Sequence, residues 1–357
     1  MYSLLRPLLF RLDAERAHER ALSTLSWCAR HPGALSLLRS VCAVRDERLE
    51  VTRCGLTFPN PIGLAAGFDK NGTAIPAWSA LGFGFVEIGT VTSIGQQGNP
   101  KPRLFRLPLD RAIINRMGFN NEGAVAISER LASLGVGDRP VPLGINIGKS
   151  KSVPIEQAAE DYQQSLRRLW PYADYLVINV SSPNTPELRK LQDRQHLETI
   201  LTVSKELCSH DRKPVFVKIA PELSWAHVDD VIELVESFGL GGIVACNTTL
   251  SRGGLQTSAV EAGGLSGRPL RKRSLELLRH ICAHSTLPVI SVGGISNLQD
   301  VIERLKAGAC LVQLYTAMVY QGPRLVRELN RGLIAYVERQ GYEAVEEIIA
   351  SGISRPR

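Results

Sequence analysis

Eight short apolar runs, each ending in glycine or a polar residue and separated by longer stretches of helical periodicity, constrain this chain more than any other feature. They fall at 62–66, 85–89, 143–147, 175–180, 215–219, 242–245, 288–292 and 310–314. Most are rich in valine and isoleucine without polar alternation, the pattern of parallel strands buried on both faces. Eight such units between Ile62 and Tyr315 predict an α/β fold, a (β/α)8 TIM barrel, whose usual size is about 250 residues. A doubly wound sheet would need G-x-G-x-x-G after its first strand, and the chain instead reads Gly63-Leu64-Ala65-Ala66-Gly67. In a barrel the run ends Gly67, Thr90, Asn146, Asn179, Lys218, Asn247, Gly293-Gly294 and Tyr315-Thr316 share the C-terminal face, where such folds build their sites.

The rest of the composition narrows the class. With 44% hydrophobic and 22% charged residues in 357, the chain is a folded globular protein. It contains no run of 18 uncharged apolar residues, so no membrane crossing is expected. Arg6 and Pro7 interrupt the first apolar stretch, which excludes a secretion signal and suggests a cytoplasmic chain. The seven cysteines never form C-x-x-C, so neither a disulfide framework nor a zinc or iron–sulfur site is expected. His280 and His284 have i, i+4 spacing but lack the intervening acid of H-E-x-x-H; they read as surface or packing residues, and no metal is expected. The net charge of +7 is spread among acidic residues rather than massed in a tract, which gives no reason to expect nucleic acid.

Three segments follow. Residues 1–45 form an N-terminal helical extension: Ala14, Ala17, Ala21, Leu25 and Cys28 recur at helical spacing, opposite charged residues, and Pro32-Gly33 closes the pattern, making a helical pair with 3–12. Periodicity alone favours a capping helix over an interfacial anchor. Residues 46–340 form the barrel, and 341–357 a tail.

Several motifs carry chemistry. Gly144-Ile145-Asn146-Ile147-Gly148-Lys149-Ser150 resembles a phosphate loop but has three residues between its glycines instead of four, and is rejected as one. Asn179-Val180-Ser181-Ser182-Pro183-Asn184-Thr185-Pro186 follows a buried strand with a stiff turn full of donors and acceptors; no nucleophile elbow surrounds Ser182. Small residues at Ala65-Ala66-Gly67 permit close backbone approach, and Lys70 offers a cation to a carboxylate or phosphate. Asn115-Arg116-Met117-Gly118-Phe119-Asn120-Asn121 adds amides. Lys218 needs an anionic or polar partner, either structural or functional. Glycines at 263–267 and 293–294, with Tyr315-Thr316, lie where barrels hold phosphate.

Together with Glu87-Ile88-Gly89-Thr90, Lys101-Pro102-Arg103-Leu104-Phe105-Arg106, Val217-Lys218-Ile219-Ala220-Pro221 and Asn247-Thr248-Thr249, these motifs resemble the quinone-dependent (class 2) dihydroorotate dehydrogenases of bacterial type over almost the whole chain. The resemblance implies an oxidoreductase that holds one non-covalent FMN per subunit, oxidises dihydroorotate to orotate and passes the electrons to a membrane quinone in pyrimidine synthesis. It implies Ser182 as the base. Lys70, Asn115, Arg116, Met117, Gly118, Phe119, Asn179, Asn184, Asn247 and Thr248 would contact substrate. Ala66, Gly67, Lys70, Thr90, Asn146, Asn179, Lys218, Cys246, Gly267, Gly294, Tyr315 and Thr316 would contact FMN. Serine at 182, where the soluble class carries cysteine, and the helical extension both point to quinone. The preference for a capping helix is thereby reversed: the extension would bind the cytoplasmic side of the inner membrane peripherally, with His18 and Arg106 toward the quinone and 182–197 as a lid. A monomer is expected. Departures are Cys246, where relatives often have Thr or Ser, and Thr316-Ala317, where Ser and Gly are frequent. A tRNA dihydrouridine synthase, which would bind RNA with strong salt dependence, and a non-catalytic flavin-binding barrel are the alternatives.

Overall fold

The computed structural model describes residues 2–135, 139–208, 213–258 and 261–352. Eight parallel strands close into a barrel in chain order: Ile62–Leu64, Phe85–Val91, Leu143–Ile147, Tyr175–Asn179, Val215–Ile219, Gly242–Ala245, Val289–Val292 and Leu311–Leu314. Each strand pairs with the next, and the fifth with the sixth in the register Val217 to Ile243, so no strand edge is left open. All eight are buried.

The interior fills in layers. At the bottom, the rings of Phe85, Tyr175 and Phe216 meet edge to face, with centroids 6.4 and 5.7 Å apart, and Phe58 closes the floor at 5.4 Å from Phe85. The rings explain two glycines: a Cβ at Gly63 would lie 2.2 Å from Phe85 and one at Gly144 2.1 Å from Tyr175. Phe58 belongs to a hairpin, Val51–Arg53 with Leu56–Phe58, turned through Cys54-Gly55 at positive φ.

The extension has three helices, where the sequence pattern predicts two: α1 Tyr2–Leu9, α2 Ala14–Arg30 and α3 Pro32–Cys42. Asp13 caps α2 by accepting the Arg16 N–H at 3.0 Å. Pro32 ends α2 as expected but also begins α3, because a first-turn residue needs no N–H partner and proline's φ suits that position. A buried ion pair fastens α2 to the barrel: the Arg103 guanidinium donates to both Glu15 carboxylate oxygens at 2.8–3.2 Å and to the Gln97 and Asn99 carbonyls. Burial alone would raise the Glu15 carboxyl, but Arg103, helped by Lys101, holds it below its ordinary range.

Two further features escape the pattern. A three-stranded antiparallel sheet, Leu104–Leu107, Ala112–Asn115 and Gly264–Gly267, stands beside the barrel mouth, its strands too short for alternation to show. The tail begins with a helix, Val345–Gly352, whose Val345, Ile348 and Ile349 are buried against the body; 353–357 lie outside the described residues. The cysteines Cys28, Cys42, Cys54, Cys246, Cys282 and Cys310 are free thiols, with Cys54 exposed, while the Cys208 side chain lies outside the described residues.

Replacing Glu15 with alanine leaves Arg103 buried without its carboxylate. The expected loss is about 3 kcal/mol of unfolding free energy, read from the denaturant midpoint; a loss below about 1 kcal/mol would show that α2 is held by packing alone.

Candidate active site

The strand ends converge on a cavity of about 510 Å³ at the C-terminal face. Its first wall is Ala65-Ala66-Gly67 with Lys70, whose ammonium donates to the Gly67 carbonyl at 2.8 Å. Buried Asp69 shapes this loop by accepting the N–H groups of Thr73 and Ala74 and the Trp78 indole. Burial, with help from Arg103, brings the Lys70 ammonium down to about 8, against the pull of Glu15 and Asp69.

Opposite stand Asn179, Ser182 and Asn184. Asn184 Nδ2 donates to Asn115 Oδ1 at 3.1 Å, joining this loop to the antiparallel sheet, and the Asn184 backbone N–H donates to Ser182 Oγ at 3.3 Å. An N–H so placed stabilises negative charge that develops on that oxygen. Met117, Gly118 and Phe119 complete this side, whereas Arg116 turns away to Glu261 at 2.8 Å and stacks over Phe105. Arg189 pins the following segment, donating to the Ser181 and Thr248 carbonyls and pairing with Glu222.

Below the cavity lies a polar layer. Lys218 lies 3.7 Å from buried Glu87; Asn146 is fully buried and bonds to Glu87, Thr90 and Asn179. Cys246, Asn247 and Thr248 line the sixth strand's end. Burial pushes the Cys246 thiol up to about 12, so it is inert. On the remaining side are Gly267, Gly294, Tyr315 and Thr316, where helix Thr316–Gln321 opens without a side-chain cap. Buried Arg304 holds the glycine loop, donating to the Gly293 carbonyl at 3.1 Å, to the Arg271 carbonyl and to Ser274.

His18 and Arg106 sit on the seam between extension and barrel, outside this wall. The His18 ring packs on Phe68 at 5.0 Å; burial and the Lys70 charge lower it to about 3, with Glu15 and the Phe68 backbone opposing. Arg106 donates to the carbonyls of Leu9, Phe10 and Leu12 and lies over the Phe10 ring, completing the C-terminal end of α1. His280 bonds to Asp229 at 2.7 Å and is stacked between Trp225 and His284 on the outer helices, and one ligand atom from each of Asp229, His280 and His284 lies within 4.8 Å of the others. The sequence reading missed Glu87 and Gln313 as site residues, and Arg103 and Arg304 behind it; the only signal was a charged or amide side chain inside, or packed against, an otherwise apolar strand.

The sequence profile of the dihydroorotate dehydrogenase family matches residues 48–337. The chain belongs to that family. Family membership makes it an oxidoreductase and removes the two alternatives considered from sequence. A relative from Gloeobacter violaceus, named dihydroorotate dehydrogenase (quinone), is 50% identical over 356 residues, 99% of each chain. One of the same name from Chloroflexus aurantiacus is 51% identical, covering 94% of this chain and 96% of its own. The crystal structure of DHODH from Eimeria tenella in complex with ferulenol superposes with a TM-score of 0.84 at 37% identity, over 95% of this chain and 96% of that one.

A histidine titrating near 3 is neutral throughout the physiological range. The His18 ring-proton NMR signals are therefore expected not to move between pH 5 and 7, below the range in which Lys70 loses its proton; a titration centred near 6.5 would show an open, hydrated ring.

Proposed function

We propose that this chain oxidises (S)-dihydroorotate to orotate and delivers the electrons through FMN to a membrane quinone, in de novo pyrimidine synthesis. The observation that carries the reading is the meeting of Ser182, Lys70 and four amide side chains, Asn115, Asn179, Asn184 and Asn247, around one cavity. A small planar ring with a carboxylate has a complement for every edge there, which orients it and rejects analogues lacking those groups.

The residues also fit FMN. Gln313 lines the cavity, and its Oε1 is buried without a hydrogen-bond partner, an acceptor still to be satisfied. The uncapped first turn at Thr316, with Gly267 and Gly294, supplies backbone N–H groups of the kind that hold a phosphate. Ala66, Gly67, Thr90, Asn146, Asn179, Cys246 and Tyr315 would enclose the rest, and Lys218 would face the ring end where negative charge gathers on reduction. Bound FMN supplies the hydride acceptor. Ser182 would take the C5 proton as its own hydroxyl proton passes to solvent water, Lys70 would hold the carboxylate, and the asparagines with Thr248 would fix the ring; Arg116 drops out of the contact set, since it does not line the cavity, its side chain pairs with Glu261, its N–H donates to the Arg103 carbonyl and its own carbonyl accepts from Asn99.

For the quinone side, the extension exposes Leu4, Leu5, Leu8, Trp27 and Leu37, while no helix among the described residues is long and apolar enough to cross a membrane. Apolar side chains beside Arg6, Arg11 and Arg30 suit peripheral attachment to an anionic lipid surface, on the cytoplasmic side of the inner membrane, by a monomer. His18 and Arg106 lie where quinone would enter the seam. The segment 182–197 would open to admit substrate.

Anaerobic dihydroorotate should bleach the flavin of purified protein, and a quinone analogue, but not fumarate or NAD, should restore it; a yellow protein that never bleaches would overturn the substrate. Ser182→Ala should keep FMN and slow flavin reduction by about 10²–10⁴-fold, and unchanged stopped-flow kinetics would remove Ser182 as base. Because Lys70 titrates at about 8 and its protonated form attracts the carboxylate, orotate affinity should be level below pH 8 and fall above it. In Lys70→Met it should be weak and independent of pH over the same range, both read from the flavin absorbance shift.

A further inference from the structure

Glu87 stands in the second barrel strand, fully buried, and belongs to none of the groups assigned above to substrate or FMN. Its carboxylate reaches across the interior to three other strands. Oε1 accepts from Asn146 Nδ2 at 2.8 Å and lies 3.7 Å from Lys218 Nζ; Oε2 accepts from Gln313 Nε2 at 2.5 Å.

A carboxylate in an ion pair only accepts hydrogen bonds, and this propagates. Asn146 must turn its NH₂ toward Glu87, so its Oδ1 faces upward and accepts from Thr90 Oγ1 at 2.6 Å and Asn179 Nδ2 at 3.0 Å. With its NH₂ so engaged, Asn179 presents Oδ1 to the Ser181 N–H and hydroxyl and to Asn247 Nδ2 at 3.3 Å. Asn247 then keeps Oδ1 for the Thr248 N–H at 2.8 Å. The chain therefore starts at a group that only accepts and ends at backbone N–H groups, of Ser181 and Thr248, that only donate. Both ends dictate the same direction for every amide between them.

We propose that Glu87 is a positioning residue that acts through two partners: it anchors the buried Asn146 end of the Asn146–Asn179–Asn247 amide chain that reaches the substrate cavity, and it balances the Lys218 charge beside the flavin. The inference rests on the function proposed above. The two actions separate in two variants. Glu87→Gln keeps an oxygen for Asn146 and removes the charge. Glu87→Met keeps the approximate shape and removes the acceptor as well, leaving the buried Asn146 NH₂ without a partner.

The experiment measures, in both variants and wild type, FMN affinity in the oxidised and reduced states, the flavin midpoint potential and the orotate dissociation constant from flavin absorbance. In Glu87→Gln, loss of a negative charge beside Lys218 should favour reduced, anionic FMN over oxidised FMN by roughly tenfold relative to wild type, a more positive potential, with orotate affinity within about threefold. In Glu87→Met, orotate affinity should fall at least about tenfold, as expected when a buried amide donor loses its acceptor and the chain above it loses its anchor. A merely structural Glu87 would leave the Glu87→Gln potential at the wild-type value, and that result overturns the charge-balancing role even if Glu87→Met fails to fold. Unchanged orotate affinity in folded Glu87→Met overturns the anchoring role. If wild type itself binds no FMN or orotate, the proposed function fails, an outcome distinct from either.

Discussion

A ring of parallel strands has no edge, and that closure governs everything else in this molecule. Each strand satisfies its backbone groups on both sides, so the strands can be short and wholly buried, and every C-terminal end emerges on one rim. Side chains far apart in sequence, such as Lys70 and Asn247, thereby share one cavity. The same geometry points alternate residues inward, where Phe85, Tyr175 and Phe216 make an apolar floor beneath Glu87, Asn146 and Lys218.

Two buried ion pairs shape the interior, and their influence extends to their neighbours. Glu15 and Arg103 join the extension to the barrel, and both act on Lys70: the arginine lowers its affinity for a proton and the carboxylate raises it. Lys70 in turn lowers His18 on the seam. The cavity and the helices are thus linked electrostatically as well as mechanically, and a change in how α2 seats would be felt at Lys70. Deeper down, Glu87 and Lys218 form a second pair, and hydrogen bonds carry its polarity outward through the asparagines.

The strands and the residues at their ends were legible because burial on both faces leaves a plain apolar signature broken where the rim begins. Asn179, Lys218 and Asn247 stand out against such runs. The third helix was hidden by Pro32, since proline both ends and begins helices. The antiparallel sheet at the mouth was hidden by its four-residue strands, which pair over a long sequence separation from Asn115 to Gly264. Glu87 lay in plain view inside a valine- and isoleucine-rich run, but a lone acid in a strand does not announce its partners.

What the sequence determined by itself is the period of the fold, the residues at the rim and, through its motifs, the family, because these depend on local spacing and residue type. Only the tertiary structure decided which way Arg116 turns, that Arg106 completes a helix end, and that Glu87 meets Lys218, Asn146 and Gln313. Those outcomes depend on distances between strands that are not neighbours in the chain, and only closure of the barrel brings such residues together.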